Sequence, residues 1–139
     1  MTRFLLGTGG AFGILNQYQI NNLIDKAISV GINSFDSGSN YAYGKAETLL
    51  GNALKKYKRE DFYISTKAGK VYDSLRKFHK DFSFQNIQKS CNKSLQNLNI
   101  DYLDTFYLQG PKLDHIDNNL INLLQNLKAN KKIINLEIN

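Results

Sequence analysis

The spacing of apolar residues changes repeatedly along this chain, and each change marks a new element. Arg3 to Thr8 reads as a first strand, running into the glycine-rich turn Gly7-Thr8-Gly9-Gly10-Ala11-Phe12-Gly13. From Gln17 to Val30 the residues Ile20, Leu23, Ile24, Ala27 and Ile28 recur at three and four, predicting a helix that stops at Gly31. Ile32 to Asp36 is a second strand. A second helix, from about Ala46 to Tyr57, carries Leu49, Leu50, Ala53, Leu54 and Tyr57 on one face. Phe62 to Thr66 predicts a third strand that runs directly into Lys67, and the residues onward through Lys80 read as a basic, aromatic loop. Ser83 is placed to cap a third helix with an Ile87, Cys91, Leu95 and Leu98 stripe. Tyr102 to Leu108 is a fourth strand. Asp117 caps a fourth helix with Leu120, Ile121, Leu124 and Leu127, and the alternating run Ile133 to Ile138 is a fifth strand.

Strand and helix alternate four times before that last strand, which implies parallel strands joined by right-handed crossovers and covered by helices. Two architectures have this order: a doubly wound five-stranded sheet, and the first half of an eight-fold barrel, which when complete needs ~250 residues. No linker or shift of composition divides the 139 residues, so one domain is expected.

Composition narrows the field further. With 42% hydrophobic and 22% charged residues, a packed globular core is expected rather than disorder. The net charge of +6 invites a nucleic-acid reading, but the lysines fall mostly at helix ends (Lys55, Lys56 and Lys58; Lys128, Lys131 and Lys132), where cations favour the dipole. No nucleic-acid partner is expected. The single cysteine, Cys91, sits on a helix face as a small buried hydrophobe. No apolar run is long enough to cross a bilayer, and Gly7 interrupts the N-terminal apolar stretch before a signal-peptide core forms. A cytoplasmic chain with no membrane partner is therefore expected. No group of residues has metal-ligand spacing.

Candidate chemistry gathers at strand ends, where α/β proteins display reactive groups on loops held by a rigid scaffold. Asp36 closes the second strand, and the loop after it presents Tyr41 and Tyr43. Lys67 follows the third strand and Gln109 the fourth. His115 lies six residues beyond Gln109, while His79, between Lys77 and Lys80, reads as a surface residue. The glycine turn nearly imitates a dinucleotide fingerprint, with its third glycine one place late and Phe12 in its stead.

Taken in order, LGTGG, FDSGSNY, YISTKAG and DYLDTFYLQGP resemble the aldo-keto reductase superfamily, and the resemblance extends through Gly44, Ala46-Glu47 and Leu50-Gly51. It covers the family's N-terminal half, and it implies a partial (β/α)8 TIM barrel of about four βα units plus a fifth strand. It further implies NADPH- or NADH-dependent reduction of a small carbonyl compound, an aldehyde or ketone, to an alcohol. Tyr41 would be the proton donor, with Tyr43 its rival and otherwise a pocket wall. Lys67 would lower the phenol's proton affinity, Asp36 would hold Lys67, and Gln109 would stand where the family usually has His. Gly7, Thr8, Gly9, Asp36 and Asn139 would line the nicotinamide. The resemblance leads us to expect a truncated enzyme. The other expectation is a non-catalytic half-barrel that self-associates or pairs with a separate C-terminal half.

Overall fold

The computed structural model describes residues 4–73, 75 and 77–139, so Arg3, the expected first residue of the first strand, lies outside the described residues. The strands are β1 (Leu5–Gly7), β2 (Ser34–Asp36), β3 (Tyr63–Ala68), β4 (Lys70–Tyr72), β5 (Phe78–Lys80), β6 (Leu103–Leu108) and β7 (Ile133–Ile138). The helices are α1 (Gln17–Ser29), α2 (Ala46–Leu54), α3 (Phe84–Leu98) and α4 (Asn118–Ala129). Five of the strands form a single sheet in the order β1-β2-β3-β6-β7, and every pairing in it is parallel. The sheet is that of a partial barrel.

The helices begin and end where side-chain chemistry requires. Asn16 accepts from the Gln19 amide at 3.0 Å, and the Gln19 side chain accepts from the Asn16 amide at 3.0 Å, closing a capping box on α1. Gly31 at φ +83° terminates that helix as expected. Ser83 and Asp117 cap α3 and α4 by accepting from Asn86 and Leu120. The second helix stops at Leu54, earlier than expected.

Side chains alternate across the sheet, and the alternation sets the site. Phe35, Ile64, Thr66, Phe106 and Leu108 are buried on the helix-covered face. Asp36, Ser65 and Lys67 meet one another on the opposite face. Asp104 stitches β3 to β6 below the ladder: its Oδ2 accepts from the Ile64 amide at 2.7 Å and from Arg59 Nη2 at 2.6 Å.

Several expectations are corrected. The basic stretch is not a loop throughout: β4 and β5 form an antiparallel hairpin, Lys70 opposite Lys80. Asp73 Oδ1 accepts from the Leu75 and Lys77 amides and so pins its turn. The β5 strand is exposed along its length, so no burial alternation marked it in the sequence. The third strand continues through Lys67 to Ala68, which places Lys67 within the ladder. The second strand begins at Ser34, two residues late. On α4, Leu123 joins the buried stripe while Ile121 is 39% exposed.

Helices α2 and α3 approach until their backbones nearly touch at Gly51, where an added Cβ would lie 2.7 Å from the carbonyl oxygens of Asn97 and Leu98. Gly51→Ala should therefore lower the unfolding free energy by about 1–3 kcal/mol through overpacking, read from the urea midpoint at unchanged slope.

Candidate active site

Asp36 is the last residue of β2 and lies in register with Gly7 on one side and Ser65 on the other. Its Oδ2 accepts a short, charge-assisted hydrogen bond from Lys67 Nζ, and its Oδ1 accepts from Ser65 Oγ at 2.7 Å. Lys67 Nζ also donates to the Ser37 carbonyl at 2.9 Å. Lys67 is 7% exposed, so its ammonium has exchanged water for one carboxylate and one carbonyl. A cation is tolerated at that depth only when it is paired and hydrogen-bonded in this way.

The loop after Asp36 is tied to the same strand, the Ser39 amide donating to the Lys67 carbonyl at 3.2 Å. It brings the Tyr41 ring centroid to 5.2 Å from Lys67 Nζ. The ring lies against Gly38, where a Cβ would come within 3.1 Å of it, so Gly38 leaves the space that Tyr41 fills. Ala42 and Tyr43 then adopt left-handed conformations at φ 50° and 54°, each costing ~1–2 kcal/mol. That reversal sends Tyr43 outward: it is 72% exposed, and its ring centroid lies 5.9 Å from that of Tyr72 on β4. Tyr43 borders a cavity of about 470 Å³ with Ser39, Lys70, Tyr72, Lys89 and Lys93. Of the two phenols, Tyr41 is the one beside the Lys67 ammonium, while Tyr43 borders that cavity, which Asp36, Tyr41 and Lys67 do not line.

Gln109 follows β6 half-buried, and its backbone N–H donates to the Ala68 carbonyl at 2.9 Å. His115 stacks on Phe82 with centroids 5.0 Å apart, and its Nδ1 accepts from the Lys112 amide at 3.0 Å. Those two contacts fix its place on the loop beyond Gln109. His79 is exposed, as expected. Thr8 is buried and donates through Oγ1 to Ser37 Oγ at 2.9 Å, while its amide donates to the Asp36 carbonyl. Gly7 and Gly9 flank it: a Cβ at Gly7 would meet nothing within 4 Å, and one at Gly9 only the Tyr41 ring, at 3.8 Å. Asn139, just past β7, donates its backbone N–H to the Leu108 carbonyl at 3.2 Å.

Sequence reasoning passed over several groups that hold this arrangement. Ser65 stands two residues before Lys67 in one strand, so period-two alternation was the available signal. Glu47, 1% exposed, accepts from Thr66 Oγ1 at 2.7 Å and Asn97 Nδ2 at 3.1 Å, joining α2 to β3 and α3 behind the site. In the first turn of α2 its charge also meets the favourable end of the helix dipole. Tyr107, in register with both Lys67 and Glu137, has its ring 5.6 Å from Lys67 Nζ. Burial, reinforced by a hydrogen bond to Glu137, pushes the Tyr107 phenol up to about 12. Burial likewise pushes the Cys91 thiol up to about 11, which agrees with its expected place in the core. Among the described residues no helix is long and apolar enough to cross a membrane, and no cluster has the composition to hold a metal ion.

Comparison with known proteins places the chain among related sequences and folds. A family model described as the aldo/keto reductase family matches residues 4–136. L-galactose dehydrogenase of Arabidopsis thaliana is 31% identical over 129 residues, covering 89% of this chain and 39% of that protein. The NADH-specific methylglyoxal reductase of Escherichia coli is 35% identical over 111 residues, or 73% of this chain and 34% of that one. An aldo-keto reductase from Bacillus halodurans, solved in its holo form, superposes with a TM-score of 0.84 at 28% identity, covering 96% of this chain and 45% of its own. The chain thus spans less than half the length of these relatives.

The raised phenol carries a stability signature. Above pH ~10 a tyrosine in the unfolded chain ionises, whereas native Tyr107 keeps its proton until about 12. The unfolded state then binds fewer protons, so stability should fall between those values and level off above them. Tyr107→Phe should flatten that fall, as measured by urea midpoints across the alkaline range.

Proposed function

The chain belongs to the aldo/keto reductase family, and on that footing we propose that it carries the proton-delivering part of an NAD(P)H-dependent reductase that converts a small aldehyde or ketone to its alcohol. The observation that carries this reading is the buried Lys67 ammonium, held by Asp36 and Ser37 with the Tyr41 ring 5.2 Å away. A free phenol has a pKa near 10 and releases its proton reluctantly at neutral pH. A fixed ammonium beside it stabilises the phenolate left behind, and so stabilises the transition state of proton transfer. Tyr41 would protonate the carbonyl oxygen. Lys67 would stabilise the resulting phenolate, and Asp36 would keep Lys67 aimed and charged. Gln109 would orient the carbonyl through its amide N–H₂, a hydrogen-bond donor that cannot serve as an acid.

Bound NADPH or NADH supplies the hydride in this chemistry. The residues that would hold its nicotinamide end are Gly7, Thr8, Gly9, Asp36 and Asn139. The open space over Gly7, bounded at Gly9 only by the Tyr41 ring, suits a planar group laid beside the phenol. We propose the complete activity for a barrel in which further strands continue from β7.

A second reading has its own observation. β7 is one of the two outer strands of the sheet, with Ile134 and Ile138 exposed on it, and a cavity of about 280 Å³ beside it is lined by Leu108, Ile116, Ile121, Leu124, Leu136 and Ile138. An open edge of this kind recruits another strand. Under this reading the 139 residues act as an assembly partner, either for a copy of themselves or for a separate C-terminal half, without turnover of their own.

Fluorescence titration with NADPH and NADH separates the two. The first reading expects saturable binding, and reduction of a simple aldehyde that Tyr41→Phe lowers by roughly 10²–10⁴-fold while cofactor affinity stays within about twofold. No binding at millimolar cofactor, together with a concentration-dependent mass in sedimentation, would leave only the second.

A further inference from the structure

We infer that Ser65 is a positioning residue: its buried hydroxyl fixes the plane of the Asp36 carboxylate, so that Oδ2 faces Lys67. The inference deepens the reading of Lys67 and Tyr41 given above and rests on it for its link to turnover.

A carboxylate at the end of a strand has a loose last torsion, since rotation about the terminal sp³–sp² bond is broad and roughly two-fold. One contact cannot set its plane, because the oxygen facing Lys67 can swing while staying near the ammonium. Two contacts can. Here Oδ2 accepts from Lys67 Nζ and Oδ1 from Ser65 Oγ at 2.7 Å, so both oxygens are anchored from the neighbouring strand.

The strand register dictates which side chain does this. Asp36 pairs directly with Ser65, and Lys67 is two residues further along β3, so all three share one face. A slip of one residue would present Thr66, which points away and donates to Glu47. Ser65 carries its hydroxyl directly on Cβ, within 2.7 Å of Asp36 Oδ1. At 1% exposure its hydroxyl has no water to turn to.

Nor is the bond what any buried serine of this fold would make. Ser34 and Ser94 are buried with hydroxyls that find no partner among the described residues. Ser65 instead donates to a carboxylate, the stronger acceptor. A second hydroxyl acts in parallel on the other side of Lys67, where Thr8 donates to Ser37, whose carbonyl is the other acceptor of the ammonium.

The test reads Lys67 itself and needs neither cofactor nor substrate. Reductive methylation of the whole 139-residue chain, followed by peptide mass spectrometry, gives a rate for each lysine. Losing a hydrogen bond of ordinary net worth predicts that Ser65→Ala labels at Lys67 about 2–10-fold faster. Lys55 and Lys128 should keep their rates, and Ser65→Thr, which restores the hydroxyl, should return Lys67 to its slow rate. An unchanged Lys67 rate in Ser65→Ala would overturn the inference. So would equal acceleration of every lysine, since that marks general loosening. If the chain turns over a carbonyl substrate, kcat in Ser65→Ala should fall about as far as the labelling rate rises, with KM within about twofold. Selective labelling without any turnover would support the Ser65 clamp and sink reduction by these 139 residues alone, so the two failures are distinguishable.

Discussion

One ammonium buried in a sheet constrains everything near it. Lys67 lies inside the β3 ladder at 7% exposure, and a charge so placed is stable only if it is paired and hydrogen-bonded. Asp36 comes from the neighbouring strand and the Ser37 carbonyl from the turn after it. The pairing register between β2 and β3 is therefore also the register of the site. A shift of one residue would turn Lys67 toward the apolar helix face, away from Asp36.

The helix-covered side supplies the complementary rigidity. Glu47 reaches from α2 to Thr66, the residue before Lys67, and to Asn97 on α3. Gly51 lets the same two helices close to backbone contact. Each face of β3 is thus held by a carboxylate, Asp36 inside and Glu47 behind. The strand between them has little freedom to move the ammonium away from Tyr41. Strain gathers in the loop, where Ala42 and Tyr43 take left-handed conformations and separate two neighbouring phenols, one toward the cation and one toward the hairpin.

The edges of the sheet give the molecule its other character. β1 and β7 each pair on one side only within the sheet, and the apolar groove beside β7 continues the helix-packed layer outward. Sheets of parallel strands are ordinarily covered and continued, and a barrel removes its edges by closing. β2 and β3, which bring Asp36 and Lys67 together, lie inside the sheet, between β1 on one side and β6 on the other.

Much of this was legible in the sequence. The three- and four-residue spacing of Ile20, Leu23, Ile24 and Ala27, the caps Ser83 and Asp117, and Gly31 each act locally, so they determined helix limits without help from the rest of the chain. The strand ends at Asp36 and Leu108 were equally readable, because burial of a strand on a helix face leaves a mark in its composition. The motif order from Gly7 to Pro111 identified the family for the same reason: it is a property of the chain alone. What folding decided is what depends on neighbours distant in sequence. The β4–β5 hairpin is exposed and stabilised by Asp73 at its turn, so it left no pattern of burial. Whether Tyr41 or Tyr43 faces Lys67 depended on two left-handed residues that no propensity predicts. The partners of Asp36 and Glu47 lie 29 and 19 residues away, at Ser65 and Thr66. A sequence specifies which side chains can donate and accept; only the sheet register brings a particular donor to a particular acceptor.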